Sequence, residues 1–403
     1  MDAALSWTSS ASLALTASGS LIVNKPVIVA GSGSVAIQTA DSGLSFAPKA
    51  SLSFWDLFSA LTINKVAYTL VGDIKSLGFQ VSTAVAFARD YDASVDGQYN
   101  DSPVAFIESN GRLEGLGHTI SHLTVSGGGF VGQSVGTLTN LHLVNARVFC
   151  GGGLYTGMAV KENLGLINHL SVSGAILTTG ICWYEVGGLV GANQPGGIIR
   201  NSSTKIRIPI GGYQTGGLVG VNAGTISNSW VEGTVRGMGT AVGEQGALVG
   251  INAGTIDNSY SLADTRFCAQ CKFEAAHGGI VGETSTSPNY PSKVVSSYAA
   301  GRTARAPSPW VWIGGCGEPV NLAGSIVGCD GDYSSFASTY WVTDSSLHNP
   351  KSSAGNKAQL AGVAGLTQAQ LKAALPPGFD ATIWGQSPDI NNGYPYLRSN
   401  PPQ

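Results

Sequence analysis

Four acids fall where a repeating chain would align them: Glu185, Glu244, Glu283 and Asp330. Glu185 and Glu244 stand two positions before alternate Gly-rich cores, and Gln214 and Ala276 hold the equivalent places in neighbouring copies. If the copies stack at the spacing of paired β-strands, the two glutamates lie two coils apart, with backbones about 9 to 10 Å from each other. That is near the carboxyl separation of inverting glycosidases, in which one acid protonates the leaving oxygen and the other activates water. Trp183, Tyr184, Tyr213 and Trp230 are close enough in the repeat to offer a surface on which sugar rings stack. Glu283 and Asp330 fall at or beside the place that Asn193, Asn222 and Asn252 hold in other copies. Acids that break an amide ladder can bind a metal or move a proton. The plainer alternative for all four is a solvated carboxylate on a regular face.

Other constellations are weaker. Cys268 and Cys271, with His277 nearby and Cys316 further on, are of the types that hold zinc, but a closed zinc site shows two tight pairs and the second is missing. A redox pair or disulfides are the alternatives. Cys150 and Cys182 precede consecutive repeat cores, a spacing that allows a disulfide between coils, and Cys316 and Cys329 flank an insertion that they would close. Asp90, Asp92, Asp96 and Asp101 could hold a surface Ca²⁺ weakly, without the EF-hand pattern. Lys161, Arg200, Lys205 and Arg207 would serve as bases if the chain were a polysaccharide lyase. His118 and His169 read as structural. No nucleophile elbow, HExxH, P-loop or dinucleotide fingerprint sits in its required context, so no cofactor is expected.

Composition narrows the field. Only 11% of the 403 residues are charged, the net charge is −3 and there are 56 glycines. An average soluble domain is roughly 25% charged. The chain therefore presents neutral polar surface and no basic footprint for nucleic acid. No apolar run is long enough to span a bilayer, and Met1 to Ser20 lacks the basic start and continuous apolar stretch of a signal peptide. We read the sequence as a fragment of a secreted protein.

The elements that would position these residues come from a repeat. A Gly-Gly-Leu-Val-Gly phrase recurs at Gly128, Gly187, Gly216, Gly246, Gly278 and Gly324, at intervals of 59, 29, 30, 32 and 46 residues. A degenerate copy beginning at Gly152 would divide the longest interval. About ten residues later comes a second phrase, as in GTISNSWV from Gly224 and GTIDNSYS from Gly254. A unit of this size with two or three short strands cannot bury its own apolar face, so the copies must stack. The fold class expected is all-β: a right-handed, single-stranded parallel β-helix with short capping or decorating helices. Leu189, Leu218, Leu248, Ile280 and Ile326 would stack inside it, as would Ile198, Ile226 and Ile256, while Asn201, Asn228 and Asn258 would form an amide ladder at a turn. Ile74, Leu77, Val81 and Val85 lie at helical spacing and predict a short helix near 76–88, and Thr367 and Pro376 bracket another near 366–375.

The phrase GGLVGVNAGTISNSW from Gly216 resembles the GLUG motif of large surface exoproteins and some secreted peptidases. The flanks, including YTLVGDIKSL, LEGLGHTISHLTV from Leu113 and the ending FDATIWGQSPDINNGYPYL, are similar to the carboxy-terminal region of filamentous-haemagglutinin-like exoproteins of the two-partner secretion type. The resemblance covers nearly the whole chain and implies a β-helix exported through an outer-membrane partner, often for adhesion. The Asn-Pro-Asn secretion signature of such proteins is missing from this sequence.

Three regions follow: irregular coils over 1–110, the repeat core over 111–345 with insertions near 178–186, 264–277 and 302–321, and a cap over 346–403. The functional expectation is an extracellular or cell-surface rod that binds a glycan or another surface ligand. The alternative is a glycoside hydrolase or polysaccharide lyase using Glu185, Glu244, Glu283 and Asp330.

Overall fold

The computed structural model describes residues 1–40, 43–150, 153–178, 182, 184–209, 211–236, 243–266, 276–303, 322–344 and 352–402. It is a parallel β-helix in two runs. In the first run Leu5–Trp7, Val27–Val29 and Leu52–Phe54 stack in parallel, as do Ser12–Thr16, Ser34–Gln38 and Ala60–Ile63. These coils enclose a core of Val23, Val29, Ile37, Phe54 and Leu61. A tight hairpin then reverses the chain: Ile63 pairs antiparallel with Val66 across Asn64 (φ 50°) and Lys65 (φ 66°). Two positive φ values in succession match the twist of the flanking strands.

The strand after this hairpin, Val66–Val71, pairs in parallel with Ala84–Phe87 and opens the second, longer run. Here a nine-stranded parallel sheet climbs from Gln80–Val81 to Val327–Cys329, and a six-stranded sheet climbs from Tyr155–Gly157 to Ala323–Gly324. A third face carries long strands such as Thr137–Cys150 and Leu166–Thr178. Leu189, Leu218, Leu248, Ile280 and Ile326 are fully buried and form the expected aliphatic ladder.

Several registers differ from the sequence reading. The coil between Gly128 and Gly187 is marked by Gly157, which pairs with Gly187, and not by Gly152, which lies outside the described residues. The second ladder runs through Ile199, Ile226 and Ile256, leaving Ile198 exposed. Ile198 pairs with Thr225 on the outer face, and Ile199, the second of two adjoining isoleucines, pairs with Ile226 in the core. The amide ladder is not at Asn201, Asn228 and Asn258, which take the left-handed conformation at φ 48°, 48° and 44°. It runs through Asn163, Asn193, Asn222 and Asn252, each Nδ2 donating to the next Oδ1 at 2.7 to 2.8 Å. At the left-handed corner serines tie the coils, with Ser202 N donating to Ser229 Oγ, Ser229 N to Ser259 Oγ and Ser259 N to Ser297 Oγ.

The expected helix over 76–88 does not form. A single 3-10 turn, Lys75–Leu77, ends at Gly78 (φ 70°), and Gln80–Val81 and Ala84–Phe87 are strands. Ile74, Leu77 and Val81 are buried as the pattern implied, but around a corner of the solenoid. The β-branched Val81, Thr83 and Val85 favour the strand. The helix near the end does form, over Gln368–Ala373, with Thr367 and Gln370 in a reciprocal capping box.

Beyond that helix the chain retraces the solenoid as a strap. Trp230, Tyr260, Tyr298 and Tyr340 pack as a third core with Phe379, Trp384 and Tyr394 of the strap. Tyr260 and Tyr298 stack at 5.0 Å with their planes 1° apart. Trp384 Nε1 donates to Asn258 Oδ1, and Trp230 Nε1 donates to Asn400 O. Cys150 and Cys182 are disulfide-bonded, joining neighbouring coils.

Candidate functional site

The repeat builds a crease. After each strand of the six-stranded sheet, a two-residue turn such as Gly188-Leu189 or Gly217-Leu218 leads directly into the nine-stranded sheet, so the outer faces of the two sheets approach each other. A Cβ added to Gly220 would lie 3.1 Å from Glu185 Cβ, and one added to Gly191 would lie 2.9 Å from Tyr155 Cβ. Glycine is therefore required at the bottom of the fold, where one backbone meets the other wall. One wall carries the outward ladder Tyr155, Glu185, Gln214, Glu244 and Ala276. The other carries Phe106, Gln133, Glu162, Ala192, Val221, Ile251 and Glu283 in register. Six rungs separate Phe106 from Glu283, about 29 Å at the inter-strand spacing.

At one end the crease opens into a cavity of about 380 Å³ that includes Phe79, Phe106, Tyr155, Gln133, Lys161 and Glu162 in its lining. Phe79 and Phe106 are exposed and meet edge to face, with centroids 6.1 Å apart. Gln133 Nε2 donates to Glu162 Oε2 at 2.6 Å, and Gln194 Nε2 donates to Glu162 Oε1 at 2.8 Å. Lys161 Nζ lies 3.3 Å from Asp101. This mouth combines aromatic faces with fixed donors and acceptors.

At the other end Glu244 and Glu283 come together. Each is only 9% exposed, and the two share a hydrogen bond. Gln214 Nε2 donates to Glu244 Oε2 at 2.8 Å. Burial, with Glu244 beside it, pushes Glu283 up to about 8, and burial raises Glu244 as well. Glu283 therefore keeps its proton at neutral pH, within hydrogen-bond reach of Glu244. Glu185 lies on the same wall two rungs from Glu244, half-buried and raised by burial.

The structure thus unites two of the four expected acids and aligns a third. Asp330 is elsewhere, buried at the corner and bonded to Lys357 Nζ at 2.5 Å, Thr284 Oγ1 at 2.8 Å and Ser334 Oγ at 2.5 Å. Burial works to raise it, but these donors hold it below the usual carboxylate range. A glycosidase pair leaves room between its acids for water or a sugar carbon, and two carboxyls in direct contact leave none.

Of the expected stacking aromatics, Tyr184 is 45% exposed and Tyr213 partly exposed, each immediately before a wall residue. Trp230 is no ligand platform: it is 2% exposed beneath the strap because its ladder partners are aromatic too. Trp183 lies outside the described residues, as do Cys268, Cys271 and Cys316. Cys329 is disulfide-bonded. His277 points into the solenoid between Gln245 and Ala323, 2% exposed, and burial lowers it to about 4. Its interior place removes it from a surface zinc set. The aspartates proposed for Ca²⁺ are dispersed: Asp90 meets His118, Asp92 meets His122, Asp96 meets Lys75, and Asp101 meets Lys161. Among the described residues no group of three or more His, Cys, Asp or Glu could hold a metal ion. Arg200, Lys205 and Arg207 are on the third face, away from the crease, so only Lys161 of the proposed bases is near it.

Sequence reasoning did not single out Phe79, Phe106, Tyr155 or Glu162. Their signal lay in the register, since Gln133, Glu162 and Ala192 follow their coil cores at equal offsets.

No protein-family model matches this sequence, and no curated protein matches it. Among solved structures, the chain is similar to a crystal structure from Bacteroides ovatus described as a "putative immunoglobulin A1 protease", with 17% identity and a TM-score of 0.47, covering 83% of this chain and 93% of that one. Among the described residues no helix is long and apolar enough to cross a membrane.

Proposed function

We propose that this protein is a secreted or cell-surface rod, of the filamentous-haemagglutinin-like type with GLUG repeats, that binds an extended glycan along the crease. The mouth at Phe79, Phe106, Tyr155 and Glu162 carries this reading, because exposed rings beside fixed carboxylate and amide groups suit sugar faces and hydroxyls. The ladder of Glu185, Gln214 and Glu244 continues the same polar lining coil by coil, as a polymer with a short repeat requires. The Cys150–Cys182 disulfide accords with export to an oxidising compartment. An outer-membrane secretion partner belongs to the same reading.

A hydrolase is the second reading, favoured by Glu185 and Glu244 standing two rungs apart on one wall, about 9 to 10 Å at the inter-strand spacing. A glycan array, followed by incubation with the polysaccharides that bind, separates the two. The expected result is binding without products, weakened at least tenfold by Phe106→Ala and Tyr155→Ala. Absence of binding to any glycan would overturn the proposal. Products that disappear with Glu244→Gln would replace it with the hydrolase.

A further inference from the structure

A second column of polar side chains runs up the third face of the solenoid, on the sheet opposite the N-terminal run. Thr119 pairs with His142, His142 with Ser171 and Ser171 with Ser203. Asp90 joins at the bottom, its Oδ1 accepting from Thr119 N at 2.9 Å and lying 3.1 Å from His118 Nδ1. Leu141 and Leu143 face the core on either side of His142, so its ring projects outward.

Ser171 Oγ lies 2.5 Å from His142 Nδ1, and both side chains are partly exposed. A neutral ring with its proton on Nε2 accepts from the hydroxyl at Nδ1. Ser171 also lines two cavities. One, of about 320 Å³, is shared with Lys49, Asp90 and His142. The other, of about 150 Å³, is shared with Lys205 and Asn400. The N-terminal run closes the first through Lys49 to Ser51, and the strap closes the second through Asn400 and Pro401. A molecule bound across Ser171 has one space on each side of the hydroxyl. That is the arrangement an acyl-transfer nucleophile needs, with a base in contact and room for both halves of the substrate.

We infer that Ser171 and His142 form a nucleophile and base that cleave small carboxylic esters. Ser171 Oγ attacks the ester carbonyl carbon as its proton passes to His142 Nδ1. The Oγ–C bond forms, the bond from carbon to the alcohol oxygen breaks, and the departing alkoxide takes the proton from Nδ1. Water then attacks the acyl-serine by the same route, releasing the carboxylic acid and restoring the hydroxyl. Lys49, in the cavity beside Ser171, supplies positive charge for the oxygen that becomes anionic in each step. Burial holds His142 below the ordinary histidine range, against the opposing pull of Asp90, so the ring is free to accept a proton at neutral pH. This site shares no residue with the crease and does not depend on glycan binding there.

The test treats the full chain with a fluorophosphonate and locates adducts by peptide mass spectrometry, with p-nitrophenyl acetate hydrolysis in parallel. The expected result is an adduct on Ser171, lost in Ser171→Ala and slowed about 100-fold or more in His142→Gln, the usual share of a general base. Ser227→Ala, a partly exposed serine that lines neither cavity, should label at the wild-type rate. The labelling rate should rise with pH through a midpoint below about 6.5, the value of an unperturbed histidine. No adduct on Ser171 in the unmodified protein would overturn the inference whatever the folding of the variants. Equal labelling in a His142→Gln protein that melts like wild type would also overturn it.

Discussion

Glu244 and Glu283 hold a proton that the unfolded chain would give up. An unperturbed glutamate ionises near 4.3, whereas Glu283 keeps its proton in the fold up to about 8. Between those values the folded state binds more protons than the unfolded one, so stability falls as pH rises and the loss is complete above the folded value. Glu114, fully buried and raised to about 7 by that burial, adds to the same slope. Glu283→Gln keeps a donor to Glu244 and removes the titration. It is expected to raise Tm most at about pH 8 and little at about pH 5, read from thermal melts across that range. A Tm profile parallel to wild type would show that the proton is not held by this pair. The repeat exposed Glu244 to sequence reading because it shares a position with Glu185, and Glu283 because an acid stands there at or beside a ladder of amides. Glu114 was not legible as such, and although His118 read as structural its partners were not legible either, since what surrounds both is remote in sequence. Asn140 joins Glu114 to Leu44 O, and His118 Nε2 meets Leu52 O, 66 residues away.

Among the elements, the turn from the six-stranded into the nine-stranded sheet sets the crease, and the buried amide ladder holds one coil to the next. Asn222 is an inner member of the ladder, accepting from Asn193 and donating to Asn252. Asn222→Ala leaves a donor and an acceptor buried without partners, a loss of about 2 to 4 kcal/mol. Urea unfolding should show it, with Ser227→Ala on the partly exposed corner strand as a near-neutral control. A change no larger than the control's would mean that the ladder is incidental to stability. The coils themselves were readable because the Gly-Leu-Val-Gly phrase repeats its glycines and core aliphatic at fixed offsets. Register failed where two isoleucines adjoin, since Ile198 and Ile199 point to opposite faces and only the second is core. The false helix near 76–88 failed for a different reason: a solenoid corner buries residues three or four apart, as a helix does.

At the scale of the whole molecule, two solenoid runs joined by the reversal at Asn64 and Lys65 are held together by contacts that no local pattern encodes. The strap shows the same limit. Its aromatic residues were visible in sequence, but their docking against Trp230, Tyr260, Tyr298 and Tyr340 depends on the chain returning along coils laid down up to 198 residues earlier. That return turns Trp230 from an expected sugar platform into core, and it leaves the crease on the far walls as the long open feature. A crease of equivalent rungs, spanning about 29 Å from Phe106 to Glu283 at the inter-strand spacing, makes a prediction that a single pocket does not. The most direct measurement is calorimetric titration of one oligosaccharide series, from monosaccharide upward, drawn from the glycan that binds best. The account predicts that affinity climbs with chain length until the crease is filled and then levels off, and that Glu185→Ala lowers it for the long members only. Equal affinity for the shortest and longest members, or none for any, would contradict it.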